Sequence, residues 1–314
     1  MTPASSWDVH HLPTQIGRTF LVTGASSGIG YFVAEQLAAT GAEVVLAARS
    51  RAKLDLAVQG IRSQLPDARL RTITMDLAHY ASIEAAAETL SDSTVHGAVF
   101  NAGVLKQDKR SETVDGHELV VGTNHLGHFV LSAHLHRLLA PGARLVTMGS
   151  MAARSARLRL DDMESRHNRR YQGFEVYKMS KLAQTMFAFE LDRRLRKVDS
   201  PIASLVAHPG GALDGLTPSR PPVHTRRTAD LLKALPLSPL VQGKDSAAWP
   251  AVRALLDPTA EGGQLWGPSF ARTKGRPVLE KPTPLMQDTA MAARLWAWTE
   301  RSTGITWPTL STRT

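Results

Sequence analysis

Tyr177 and Lys181 stand four residues apart in the stretch YKMSK. That spacing puts both on one face of a helix. An ammonium beside a phenol favours the phenolate and lowers the phenol pKa, and an oxidised nicotinamide nearby would add a second positive charge. Such a tyrosine can take a proton from an alcohol as hydride leaves carbon, or give one to a carbonyl during reduction. An ordinary exposed Tyr–Lys pair has the same spacing, so the pair needs company. Ser150 ends the strand-like run ARLVTMG, where it can bind a substrate oxygen. Asn124 falls inside a predicted helix, where its side chain competes for backbone hydrogen bonds. Holding a water or bracing Lys181 would give it a purpose.

A second group of residues suits a dinucleotide. Gly24, Ser26, Ser27, Gly28, Ile29 and Gly30 lie in GASSGIG, between a predicted strand and a predicted helix. Glycines there allow a tight turn and close approach of a pyrophosphate, which the helix N-terminus attracts. A purely structural turn fits the same residues. About 20 residues on, where an NAD site places an acid for the ribose diol, the chain has Ala48 and Arg49, then Arg51 and Lys53. Arg49 can pair with a 2′-phosphate, helped by Ser50 or Arg51, which favours NADP(H) over NAD(H). An ordinary surface arginine is the alternative. Asp76 follows the third strand, where it can accept from adenine, and Asn101, Ala102 and Gly103 follow the fourth.

These positions imply the elements that must hold them. Strand-like runs at TFLVT, EVVLAA, RLRTITM, HGAVF, ARLVTMG and IASLVA alternate with helical stretches near 31–40, 51–64, 80–91, 117–139 and 175–197. Alternation of this kind predicts an α/β fold, a doubly wound Rossmann-type three-layer sandwich. With GGQLWG as the last strand, the sheet is predominantly parallel and seven-stranded. Residues 1–17 read as an arm or peripheral helix. A helix resumes over 243–256 with a kink at Pro250. A terminal helix over 285–300 uses Leu295, Trp296 and Trp298 for packing.

The 314 residues, 43% of them hydrophobic, suffice for one domain, 1–314. Zero cysteines exclude disulfides and thiolate chemistry. No secretory leader and no membrane span is expected, and a cytoplasmic location follows. The net charge of +9 attracts anionic partners. Its densest stretch holds Arg154, Arg157, Arg159, Arg166, Arg169 and Arg170, read as a solvated loop face without a nucleic-acid motif. The histidines lack metal-ligand grouping, so no metal is expected. Hydrolysis lacks a nucleophile-elbow pattern.

Taken together, the sequence resembles the short-chain dehydrogenase/reductase family over nearly its whole length. The resemblance rests on TGASSGIG, Asp76-Leu77, NAGV at 101–104, NHLG at 124–127, Ser150, YKMSK and HPG at 208–210. LAARS at 46–50, DGHELVVGTNHLGHFVLS at 115–132, SKLAQTMFAFEL at 180–191 and DTAMAARLWAWTE resemble its retinol-dehydrogenase and WW-domain-oxidoreductase branch. The resemblance implies a catalytic tetrad of Asn124, Ser150, Tyr177 and Lys181. It implies cofactor contacts at Gly24, Ser26, Ser27, Gly28, Ile29, Gly30, Arg49, Asp76, Leu77, Asn101, Ala102 and Gly103, and at Tyr177, Lys181, Pro209 and Gly210. It also implies a homodimer or homotetramer through the helices bearing Asn124 and Tyr177.

One departure concerns the loop after Pro209. Asp214 stands where the family pattern has a threonine, and beside a pyrophosphate its charge would repel, with Thr217 a nearby substitute. Segments 151–176 and 211–240 are expected on the substrate side, as loops or a lid, with Leu213, Leu216, Leu231, Leu232 and Leu235 either lining a lipophilic pocket or packing the lid. The expected substrate is a small, lipophilic alcohol or carbonyl compound. A catalytically weak NADP(H)-binding regulatory or scaffold protein is the alternative.

Overall fold

A computed structural model describes residues 7–105, 107–167 and 170–308; Arg169 and the first six residues of the expected arm lie outside them. The N-terminal half alternates β1 (Thr19–Thr23), α1 (Gly28–Ala39), β2 (Glu43–Ala48), α2 (Arg51–Gln64), β3 (Arg69–Thr74), α3 (Tyr80–Glu88) and β4 (Val95–Phe100). Next come α4 (Leu119–Val121), a π-helical turn (Gly122–Leu126), α5 (Gly127–Leu135) and β5 (Leu139–Met148). The long α6 (Gly173–Lys197) leads to β6 (Ala203–Ala207). The C-terminal part holds α7 (Thr228–Ala234), α8 (Lys244–Ala247), α9 (Trp249–Leu256), β7 (Leu265–Phe270), β8 (Lys274–Glu280) and α10 (Thr289–Thr303).

The strands form one sheet in the order β3-β2-β1-β4-β5-β6-β7-β8. All neighbours run parallel except β8, which is antiparallel to β7. The two-residue side-chain period sorts the apolar runs onto two faces. Phe20, Val22, Val44, Leu46 and Val99 meet α1, α2 and α9 on one side. Leu21, Val45, Ala47, Ala98 and Phe100 meet α3, α5 and α6 on the other. Both faces are buried, as a doubly wound parallel sheet requires.

An eighth strand extends the expected seven. KGRPVLE alternates weakly and contains Pro277, which cannot donate to a ladder and is therefore tolerated at a sheet edge. Pro250 does more than kink its helix. It sits at the first positions of α9, ending α8 and starting a new helix. The N-terminal residues from Trp7 form turns, with Trp7 and Leu12 against the core.

The terminal helix begins at Asp288, whose side chain accepts from Met291 N at 2.8 Å, and ends at Gly304 with φ +67°. Leu295 and Trp296 are buried, and half-buried Trp298 stacks 6.3 Å from His125. Trp296 lies 5.4 Å from Phe129 and 5.7 Å from Phe187, while Trp307 Nε1 donates to Ser132 Oγ. This packing covers α5 and the middle of α6, where residues 181–192 are all buried.

The two irregular segments are anchored to the body of the fold. In 151–172, Glu164 accepts from Glu118 N at 2.6 Å and pairs with His117 at 2.9 Å. Arg154 pairs with Glu280 and Arg166 with Glu112, while Arg157 and Arg170 are exposed. In 211–240, Arg220 binds Glu35 of α1 through two hydrogen bonds of 2.7 and 3.1 Å. Leu213, Leu216 and Leu231 are half-buried there, whereas Leu232, Leu235, Leu237 and Leu240 face outward. No helix among the described residues is long and apolar enough to cross a membrane.

Candidate active site

The carboxyl ends of β1, β2 and β4 open into a cleft of ≈ 360 Å³. It lies where the strand order reverses, the position at which open α/β sheets bind ligands. Gly24, Ser26, Ser27, Arg49, Asp76, Leu77, Asn101, Ala102 and Gly103 line it, with Ser50 and Lys53. Ser27 precedes α1 without capping it through its side chain, and the first turn of α1 holds no acid. The free N–H groups therefore present partial positive charge to the cleft. The residues present thus fit a dinucleotide pyrophosphate.

The glycines do distinct work. Gly24 has φ +66°, and a Cβ there would lie 2.9 Å from Ala102 Cα. At Gly28 the constraint is conformational, φ +62° with open space around. A Cβ on Gly30 would lie 2.3 Å from Asn101 Nδ2 and 2.5 Å from the Gly24 carbonyl oxygen. Gly30→Ala should push Asn101 off its 2.9 Å bond to the Thr23 carbonyl. The expected loss is about 1–3 kcal/mol of stability, with at least about tenfold weaker dinucleotide binding. Thermal melts and fluorescence titration check both, and unchanged binding would remove Gly30 from the site.

Arg49 is exposed at the end of β2, and the one acid lining the cleft, Asp76, lies at the end of β3. Asp76 accepts from Ala78 N at 3.0 Å, which shapes its turn. Ser50 caps α2 by accepting from Lys53 N. Arg51 turns to Asp55 at 2.9 Å and stays out of the cleft. Gly28, Ile29, Gly30, Pro209 and Gly210 also stand outside its lining, the first three in α1 behind it.

Beyond Gly103 the expected tetrad comes together. Asn124 lies in the π turn, a device recurrent at functional sites. Its Oδ1 accepts from Val104 N at 2.7 Å, and its Nδ2 donates to the Val104 carbonyl at 3.0 Å and to Ser180 Oγ at 2.9 Å. Asn124 therefore braces the 101–104 turn and α6 rather than Lys181. Lys181 is held by the Met148 carbonyl at 2.9 Å and Gln184 Oε1 at 3.0 Å. The Ser150 side chain, at the end of β5, stands near enough to the Tyr177 phenol to lower its pKa. A Cβ on Gly103 would lie 3.1 Å from Asn124 Oδ1 and 3.5 Å from Lys181 Nζ, so this residue joins cleft and tetrad.

The electrostatics correct one expectation. Burial pushes the Tyr177 phenol above its ordinary pKa, and the nearby Ser150 hydroxyl opposes that shift. The Lys181 ammonium rests on two neutral acceptors, the Met148 carbonyl and Gln184 Oε1, which hold it without neutralising its charge. Burial lowers Lys181 itself to about 8. In the protein alone Tyr177 is a protonated acid at neutral pH.

Asp214 turns from the cleft to Lys244, 2.5 Å away, with His224 at 4.0 Å. Its charge is matched there and does not face a pyrophosphate. Thr217 is no substitute either: buried, it donates to the Leu213 carbonyl and accepts from Lys244 N at the start of α8. Gly210, with φ +69°, packs against the Thr273 carbonyl. Its N–H donates to His208 Nδ1 at 3.3 Å, so the other ring nitrogen carries the proton toward Glu280 Oε1 at 2.8 Å. Glu280, His208, Ser180 and Gln184 were not singled out by spacing. Their roles depend on residues distant in sequence.

A family model for short chain dehydrogenases matches residues 18–161. Mouse (Mus musculus) polyprenol dehydrogenase is 34% identical over 302 residues, covering 93% of this chain and 86% of that protein. The chain belongs to the short-chain dehydrogenase/reductase family. It is an oxidoreductase of the nicotinamide-dependent type. The crystal structure of an uncharacterized protein from Mycobacterium Paratuberculosis superposes with a TM-score of 0.79 at 32% identity, covering 96% of this chain and 99% of that one. The Pseudomonas aeruginosa RhlG/NADP active-site complex superposes at 0.59 with 26% identity, covering 80% and 94%.

Proposed function

We propose that this member of the family interconverts an alcohol with an aldehyde or ketone using NADP(H), with Tyr177 as acid and base. The observation that carries the reading is the cleft with Arg49 in its lining and Asn124 and Lys181 beside Gly103, with Ser150 near the Tyr177 phenol. Bound nicotinamide supplies or accepts the hydride. Ser150 holds the substrate oxygen, and Tyr177 Oη gives that oxygen its proton in reduction or removes it in oxidation. Lys181 holds the ribose and places a positive charge beside the phenol. Asn124 keeps the 101–104 turn and α6 in register.

Arg49 favours NADP(H), since a guanidinium can form charge-assisted bonds to a 2′-phosphate. The NADP complex of the Pseudomonas aeruginosa protein agrees with this preference. Arg49→Ala should raise the KM for NADPH about 10–100-fold and leave that for NADH nearly unchanged. Steady-state assays with both cofactors check it; equal losses for both would remove the preference.

Two exposed apolar side chains stand beside the tetrad: Phe174 stacks 6.2 Å from Tyr177, and Leu105 follows Val104. A lipophilic carbonyl or alcohol suits those side chains. Residues 46–50, 115–132 and 180–191 support placement near the retinol-dehydrogenase and WW-domain-oxidoreductase branch. We further propose one domain, with 151–176 and 211–240 framing the substrate side. The scaffold alternative drew on Asp214, and the Lys244 pairing removes that ground. A panel of aldehydes and ketones with NADPH, followed at the reduced-nicotinamide absorbance band, tests the reading. Tight NADPH binding with no turnover on the panel would contradict it.

A further inference from the structure

Behind Lys181, buried polar groups form a chain from α6 through α5 to the end of β1. Lys181 Nζ donates to Gln184 Oε1 at 3.0 Å, and Gln184 Nε2 lies 3.2 Å from His128 Nδ1. His128 Nε2 in turn lies 3.0 Å from Thr23 Oγ1. Thr23 Oγ1 accepts from Ala102 N at 2.9 Å, so the chain ends in the turn that lines the cleft. Gln184 and His128 are fully buried. A buried amide or imidazole left without partners costs about 1–3 kcal/mol, which makes the mutual bonding structurally demanding.

Donor and acceptor inventories fix the orientation of Gln184. An ammonium has three donors and no acceptor, so Gln184 must show it oxygen and turn its NH₂ to His128. His128 Nδ1 meets both that NH₂ at 3.2 Å and the Asn124 carbonyl at 3.0 Å, and its Nε2 meets the Thr23 hydroxyl. A proton on Nδ1 serves the Asn124 carbonyl, and one on Nε2 frees Nδ1 to accept from Gln184. Burial keeps the ring neutral, with a pKa of about 3.

We propose that Gln184 and His128 are positioning residues for Lys181. Gln184 Oε1 and the Met148 carbonyl engage two of the ammonium donors, and the buried His128 ring stands against the amide that presents Oε1. The third donor is left for the cleft beside Gly103. This inference rests on the role given to Lys181 above. Among the described residues, His128 on α5 is the ionisable group recorded as interacting with it, Tyr177 stands one helical turn before it on α6, and β5 contributes the Met148 carbonyl.

The test compares Lys181→Met, Gln184→Leu and Gln184→Glu in the full chain, reading kcat, KM and the pH of half-maximal alcohol oxidation. Lys181→Met should lose turnover at least about 100-fold. Gln184→Leu should lower kcat about tenfold with KM within about twofold, and move the oxidation limb up about one pH unit as the phenolate loses its cation. Gln184→Glu keeps an oxygen toward Lys181 and should restore kcat to within about threefold. Should Gln184→Leu not fold, Gln184→Met provides the same comparison. His128→Leu, which frees the amide to turn, should move the limb in the same direction. Wild-type kcat and limb in the apolar Gln184 variants, with Lys181→Met inactive, overturn the positioning role alone. Wild-type turnover in Lys181→Met overturns the reading of Lys181 beneath it.

Discussion

Tyr177→Phe is expected to lower turnover by about 10²–10⁴-fold, the range for losing a positioned general acid or base. The ring remains to pack beside Phe174, so folding and dinucleotide affinity should be almost untouched. Steady-state rates with a productive carbonyl, together with a titration of NADPH, separate the two effects. Unchanged turnover would remove Tyr177 from proton transfer. The pH dependence has a definite sign. Burial raises the phenol pKa, so the acid is present at neutral pH and lost as pH climbs through that raised value. Carbonyl reduction should therefore fall at alkaline pH while alcohol oxidation rises.

The second large effect is acid lability. His125 and His128 are fully buried, and burial lowers each from 6.5 to about 3. Unfolded chain binds protons on these rings from about pH 6.5 downward, whereas the folded rings refuse them until about 3. Their contribution to stability is complete above pH 6.5 and is lost as pH falls toward 3. The combined loss is on the order of several kcal/mol, comparable with the whole stability of many domains. The urea midpoint should stay level from pH 8 to 6.5 and drop steeply by pH 4.5, with neutral-imidazole shifts for both rings until unfolding. Protonation of either ring in the folded protein near pH 6 would contradict this account.

Much of the fold was legible because it rests on local chemistry. β-Branched runs such as EVVLAA form strands, and GASSGIG makes a turn whose glycines meet specific steric demands. The strand β8 was not legible, since KGRPVLE pairs only after β7 offers it an edge. Tyr177, Lys181, Ser150 and Asn124 could be picked out by type and spacing, yet their bonding could not. That Asn124 grips Val104 rather than Lys181 depends on a π turn set by tertiary packing. The phenol pKa was misjudged for a related reason. Spacing placed the ammonium on the same helix face but could not show that tertiary packing buries the phenol. Asp214 looked hostile to a cofactor only because its partner, Lys244, lies 30 residues away. The cover over α5 and α6 likewise comes from α10 and Trp307, remote in sequence.

The most direct measurement follows a label from cofactor to product. Tyr177 and its neighbours are assigned to complete a hydride transfer to a carbonyl carbon by protonating the oxygen. NADPH deuterated at either hydrogen of nicotinamide C4, incubated with a lipophilic aldehyde or ketone, should yield an alcohol carrying deuterium on the carbinol carbon from one of the two labelled forms. The Tyr177→Phe protein should bind the same NADPH and yield almost none. An alcohol formed without the label from either form, or equal labelled yields from wild type and Tyr177→Phe, would contradict the account.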